Sequence, residues 1–171
     1  MAPRPPVGRS SFLVVALVLA GCASAPAATT TTTQPAPTPP TTAGLTIPTE
    51  LERFPVGYLE INGTSVPVAI AASRPLRVQG LAGIADLGDL AGMLFVFDPP
   101  SSVSFTMRDV VIPLDLHHLD ASGTILEIIP MEPCEGPECS FPASVTFSYS
   151  LETPPGAFDL SVGDQIGLPG P

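Results

Sequence analysis

The chain has no lysine and no tryptophan, and it has only two histidines. Without lysine, a glycine loop that cradles phosphate and closes on an ammonium group is excluded. Charge of either sign is scarce, at 13% of residues, and it is lopsided, with six arginines against sixteen Asp and Glu. Two of those arginines, Arg4 and Arg9, precede Cys22, so the portion from Cys22 onward sets four arginines against sixteen acids and carries −12. A body this acidic repels phosphate backbones, whose binding depends on Lys and Arg. Nucleic acid is therefore not an expected partner. A G-x-S-x-G elbow is also missing, and the histidines are neighbours, His117 and His118, so a Ser-His-Asp hydrolase has little to build on.

Proline is abundant, at 23 residues, which breaks long helices and favours turns and extended segments. Residues 1–22 read MAPRPPVGRSSFLVVALVLAGC. Two arginines precede an apolar run from Phe12 to Ala20 that ends in small residues. That is the layout of a secretory signal peptide, and the run is too short to cross a bilayer core of about 30 Å as a helix. Leu19-Ala20-Gly21-Cys22 is similar to the lipobox of bacterial lipoproteins. The resemblance implies diacylglycerol on the Cys22 thiol and cleavage after Gly21, giving a chain anchored to the cell membrane on its extracytoplasmic side. Two acyl chains hold a protein on a bilayer where one would be marginal.

Residues 22–49 are dominated by Thr, Pro and Ala and carry almost nothing that can form a core. Such a segment cannot offset its ordering entropy by burial and is expected to be a disordered, partly polyproline-II spacer. The domain is expected over 50–171. Lipidation of Cys22 leaves Cys134 and Cys139, spaced CEGPEC. The short loop suits a local disulfide in an oxidising compartment, worth roughly 2 kcal/mol at most. The rival, a zinc site, lacks a second ligand pair nearby.

Within the domain the periodicity is that of strands. Asn62-Gly63 separates two extended stretches, a strong hairpin signal. Pro67, in the second of them, removes a ladder donor and points to an edge or an outward-facing amide. Ser73-Arg74-Pro75 caps and starts a short helix, which Gly80 and Gly83 keep short. The apolar run 92–97 reads as a strand covered on both sides, Asp98 to Ser101 as a turn, and strands are expected at 103–107, 110–119, 124–129 and 144–152. The turn-rich tail is placed to close the sheet. Together these predict a mainly β domain, a small antiparallel barrel or sandwich with one short helix.

The segment 56–168 resembles domain-of-unknown-function family 192, also called uncharacterised protein family 0127. The residues that carry the likeness are Arg77, Gly80 and Leu81, then Gly92-Met93-Leu94-Phe95 with Phe97, then Phe105 and Met107. Ile112-Pro113-Leu114-Asp115, Asp120, Gly123, Cys134, Cys139, Gly163 and Asp164 follow. The resemblance implies a compact, mostly antiparallel β-fold, commonly exported, with no established activity. The chain departs from the family pattern at Ala82 and Ile84, where Met and Arg are usual. It departs again at Thr106, Arg108 and Asp109-Val110, in place of Trp, Lys and Asn-Thr.

Several constellations are candidates for chemistry. Asp115, His117, His118 and Asp120 crowd one expected strand, but alternation puts Asp115 and His117 on one face and His118 and Asp120 on the other. They make at best two half-sites, so His117 and His118 are weak metal candidates. Met93, Met107 and Met131 with those histidines suit copper(I), although core filling is the common fate of methionine. Asp115 with Glu127 is a possible carboxylate pair. Asp115 and Arg108 are the best ligand-binding candidates, as a polar anchor in a shallow pocket. The expectation is a membrane-tethered, non-enzymatic domain that binds a small envelope ligand or a partner protein, with no cofactor. The alternatives are an enzyme acting on envelope glycans or lipids through Asp115, or a copper-handling lipoprotein.

Overall fold

A computed structural model describes residues 44–136 and 139–169. The signal peptide, Cys22 and most of the spacer lie outside the described residues. Residues 44–49, assigned to the spacer by composition, are docked on the domain. Thr46 and Asp89 exchange hydrogen bonds, at 2.6 Å to the Asp89 carboxylate and 2.9 Å from the Asp89 amide, and Ile47 packs on the core. A single 3₁₀ turn, Thr49–Leu51, follows and buries Leu51.

Six strands form one sheet: β1 Val56–Ile61, β2 Thr64–Ala71, β3 Met93–Ser101, β4 Leu114–Leu119, β5 Ile125–Met131 and β6 Phe147–Thr153. Their spatial order is β1-β2-β3-β6-β4-β5. The domain is mainly β with one short helix, as the periodicity predicts. The expected small antiparallel barrel or sandwich is corrected in two respects. β2 and β3 run parallel, joined by a crossover that contains helix α1, Arg74–Gln79, so the sheet is mixed. Its edges, β1 and β5, do not pair with each other, so it stays open. The tail instead touches both edges at one end. Gly167 exchanges two 2.9 Å bonds with Glu60 of β1, while Ile125 of β5 donates to Asp164 at 2.8 Å.

Local signals explain most of the elements. Asn62 and Gly63 both take positive φ, 51° and 75°, as a two-residue hairpin turn requires. Pro67 is in an interior strand, but it precedes the three residues, Ala69 to Ala71, that pair with β3. Ser73 Oγ accepts the Leu76 amide at 3.4 Å to cap α1, and Gly80, at φ 49°, ends it. The expected turn at Asp98 to Ser101 is instead the continuation of β3, with a register irregularity against β6 between Val96 and Ser101. The expected strand at 103–107 is reduced to one bridge, Phe105 opposite Phe141. Pro99 and Pro100 carry no amide hydrogen, so neither can donate to a ladder there.

Both faces of the sheet are covered. One buries Met93, Phe95, Leu114, Leu116 and Met131 under α1 and the loops after β3 and β5. The other buries Leu94, Leu119, Leu151 and Ile125 under the tail around Phe158, Leu160 and Ile166. This double cover is why 92–97 reads as a continuous apolar run rather than an alternating one. Among the described residues, no helix is long and apolar enough to cross a membrane.

Candidate functional site

On the first of these faces, α1, β3 and the loop 101–110 enclose a cavity of about 600 Å³. Its depth follows from burial. Gly80, Leu81, Phe95, Val110 and Glu152 line it and are buried, whereas Arg74, Val78, Asp98, Val103 and Arg108 line it and are exposed. Phe95, Phe97 and Phe105 make its walls, with Phe95 and Phe105 edge to face at 5.1 Å and 82°. Of the four large apolar side chains that the domain exposes, two, Val78 and Val103, belong to the rim.

Arg77 fixes one wall. Its guanidinium donates to the carbonyls of Ala72, at 2.5 Å, and Val96, at 2.8 Å, and lies 4.9 Å from the Phe97 ring centroid. Helix, strand and aromatic ring are thus tied by one side chain. The opposite wall is fixed through the cysteine loop. Thr106 Oγ1 donates to the Cys139 carbonyl at 2.6 Å, and Phe105 and Phe141 exchange amide bonds at 3.0 and 2.8 Å. Cys134 and Cys139 are joined in a disulfide, their Cα atoms 5.6 Å apart.

Glu152 is a residue that the sequence reading missed. It faces Met93 across β6–β3 and Leu116 across β6–β4, so its side chain is on the apolar face that carries the cavity. It is 4% exposed, and burial alone pushes its carboxyl up from 4.5 to about 8. The neutral form of the carboxyl is therefore favoured at pH 7. The available signal was a single acid in the otherwise uncharged strand Phe147–Thr153.

Among the sequence candidates, Arg108 is at this cavity and Asp115 is not. Asp115 alternates with Leu114 and Leu116 and points to the other face, where its carboxylate accepts the Gly156 amide at 2.9 Å. Glu127 stands opposite His118, on the face away from Asp115, and accepts from Ser144 at 3.1 Å (amide) and 2.7 Å (hydroxyl). The two carboxylates are not brought together. His117 and His118 also diverge. His117 Nδ1 is 3.2 Å from the Leu151 carbonyl, and His118 Nδ1 is 2.8 Å from Ser150 Oγ. Burial lowers the pKa of both, that of His118 to about 4. Met93, Met107 and Met131 are buried in the apolar cluster. Among the described residues, no group of three His, Cys, Asp or Glu is placed to hold a metal ion. Asp120 accepts from Ser122 and Thr124 and forms the turn that Gly123, at φ 89°, completes. Those bonds hold its carboxyl below the usual range.

Residues 57–168 match the family model of domain-of-unknown-function family 192 (DUF192), described as Uncharacterized ACR. The chain belongs to the DUF192 family. No curated protein matches it. Two crystal structures share the DUF192 fold seen here. One, of a proposed transcription regulator from Sinorhizobium meliloti 1021, has 24% identity and a TM-score of 0.57, over 66% of this chain and 93% of that one. The other, of a protein of unknown function from Novosphingobium aromaticivorans DSM 12444, has 23% identity and a TM-score of 0.56, over 78% and 93%. Ala82, Thr106, Arg108 and Val110, four of the positions where this DUF192 chain departs from the usual pattern, line the cavity.

Proposed function

We propose that this protein is a lipid-anchored, extracytoplasmic binding protein whose cavity takes a small anionic amphiphile, a molecule with an apolar or aromatic body and a negative group. One observation carries this reading. From Cys22 onward the chain has four arginines in a body of net charge −12, and three of them, Arg74, Arg77 and Arg108, line this aromatic cavity. A positive rim in a negative body selects anions by field and by forked hydrogen bonds. The cavity volume falls within the range of small-molecule sites, and its mixture of apolar walls and few polar groups is usual for them. Tethering is supported by the lipobox-like Leu19-Ala20-Gly21-Cys22, and an oxidising compartment by the Cys134–Cys139 bond. The partners on this reading are the membrane, through Cys22, and a small envelope molecule. A binding role rather than a hydrolytic one is favoured by Asp115, whose carboxylate is engaged by Gly156, and by the divergence of His117 from His118.

Two measurements test the proposal. In cells fed radiolabelled palmitate, the wild-type chain is expected to take up label and sediment with membranes, and Cys22→Ser to do neither. Native mass spectrometry of the protein extracted from its own envelope is expected to show an added organic mass that Arg108→Ala loses. A chain that sediments without label, or a bare polypeptide mass, would refute the corresponding half.

A further inference from the structure

The rim arginines account for the charged end of a ligand, but the closed end of the cavity holds a polar group that nothing in the fold uses. Glu152 is 4% exposed, sits between Met93 and Leu116 in the sheet register, and still lines the cavity. An acid in an apolar layer is costly unless its polar atoms find partners, and replacing it by an apolar side chain of like volume would usually be neutral or favourable. Burial alone governs its titration, with neither a hydrogen bond nor a neighbouring charge offsetting it. Apart from His118 Nε2, which is buried without a hydrogen-bond partner, the structural polar groups of the same domain behave otherwise. Asp115, Asp120, Asp164 and Glu127 each accept a backbone amide, and Arg77 donates to two carbonyls. The unused hydrogen-bonding capacity of Glu152 is directed at the space a ligand occupies.

We infer that Glu152 is a ligand-binding residue that selects what lies at the closed end of the cavity, donating its carboxyl proton to an acceptor oxygen of the bound molecule. This rests on the cavity reading above and narrows it. The ligand class is an anionic amphiphile with a carbonyl, ester or ether oxygen at the end remote from its charge. A cationic end group is disfavoured, because it would need Glu152 ionised in a layer of Met, Leu and Phe. A purely hydrocarbon end leaves the carboxyl unpaired in the complex, which discriminates against such molecules.

The experiment uses two probes that differ by one acceptor, 4-phenylbutyrate and 4-(4-acetylphenyl)butyrate. Their binding is measured by titration calorimetry on the full chain carrying Cys22→Ser, which removes the acyl chains and changes no described residue. The acetyl probe is expected to bind about tenfold more tightly, the worth of one buried hydrogen bond. Glu152→Met is expected to erase that preference while both probes still bind. Glu152→Gln retains an N–H donor of similar size and is expected to keep most of it. Equal affinity of the two probes for the unaltered cavity, or a preference that survives Glu152→Met, overturns the role of Glu152 and leaves the cavity reading standing. If neither probe binds, or if both bind equally well after Arg74→Ala and Arg108→Ala, the cavity reading itself fails and this inference with it.

Discussion

Gly92 packs so closely on the backbone of Glu152 that a Cβ at position 92 would collide with the Glu152 carbonyl oxygen. Met93 is the next residue and pairs with Glu152 across the ladder, so the close approach sets the β3–β6 register that carries Glu152 to the cavity. Gly92→Ala is expected to destabilise by about 1–3 kcal/mol, the usual cost of forcing atoms into a filled space that backbone cannot vacate. Denaturant titration measures the loss. An unchanged midpoint would mean that β3 and β6 separate more easily than this packing implies.

Glu152 and His118 give stability an opposed dependence on pH. Glu152 holds its proton up to about 8 in the fold, while in the unfolded chain it releases it near 4.5. Its contribution is complete below 4.5 and is lost as pH rises toward 8, by at most about 5 kcal/mol at the usual conversion. His118 is lowered from 6.5 to about 4, so its contribution is present above 6.5 and lost as pH falls toward 4. Burial of a neutral imidazole against Phe147, with ring centroids 4.0 Å apart and planes 8° apart, is the structural cause. Stability is expected to peak at about pH 5–6 and to decline on both sides. Glu152→Gln is expected to abolish the decline between 6.5 and 8 and leave the acid limb in place. Urea midpoints across that range decide it, and an alkaline limb that persists in the Gln variant counts against the buried neutral acid.

Arg77 and Arg108 line the same cavity but are expected to respond differently to truncation. Arg77 satisfies two carbonyls, at 2.5 and 2.8 Å, and covers Phe97, so Arg77→Ala is expected to cost about 1–3 kcal/mol of stability. Lysine is a poor substitute, because an ammonium that reached both carbonyls would not lay a flat, delocalised cation over the Phe97 ring. Arg108 is exposed, so Arg108→Ala is expected to leave the denaturation midpoint within about 0.5 kcal/mol. It should weaken 4-phenylbutyrate, with a salt dependence shallower than that of the wild type because Arg74 and Arg77 remain. If Arg108→Ala lowers stability and leaves binding unchanged, Arg108 is a structural residue.

The cysteine loop is expected to matter more to the cavity than to the fold. Thr106 and Phe105 hang on Cys139 and Phe141, so this loop braces the wall that carries Phe105 and Arg108. Cys134→Ser with Cys139→Ser closes no loop in the unfolded chain and is expected to cost no more than roughly 2 kcal/mol. Hydrogen exchange is expected to rise at residues 103–108 while β3, β4 and β6 stay protected. Uniform loss of protection would show instead that the loop supports the whole sheet.

Much of this architecture was legible because it is locally encoded. Asn62-Gly63 dictates its own turn, Ser73 and Pro75 start a helix, and the unbroken run Met93 to Phe97 announces a strand with two covered faces. What escaped is decided by partners far along the chain. The parallel pairing of β2 with β3 depends on how the crossover packs, which no window of residues contains. Asp98 to Ser101 has turn composition, yet its register against β6 keeps it extended. The site divided in the same way. Arg108 was named beside Asp115 as one polar anchor and reaches the cavity without it, whereas Glu152 lay in a segment read only for its strand pattern. Asp115 attracted notice by following Ile-Pro-Leu, and alternation then turned it away from the cavity.

Asp115 offers the sharpest contrast with Glu152, since the two stand at neighbouring register positions. Asp115 pairs with Thr153, and Glu152 pairs with Leu116, so the two acids project from opposite faces of the same strand pair. Asp115 spends its carboxylate on the Gly156 amide at 2.9 Å, holding the turn after β6. Asp115→Ala is expected to cost about 0.5–1.5 kcal/mol, the worth of one exposed bond, and to leave the affinity of both phenylbutyrate probes unchanged. Asp115→Asn should recover part of the stability, because its amide oxygen can still accept. Calorimetry on these variants beside Glu152→Met separates the two acids. A loss of probe binding in Asp115→Ala at unchanged stability would move the site to the tail-covered face and remove the basis for assigning it to the arginine-rimmed one.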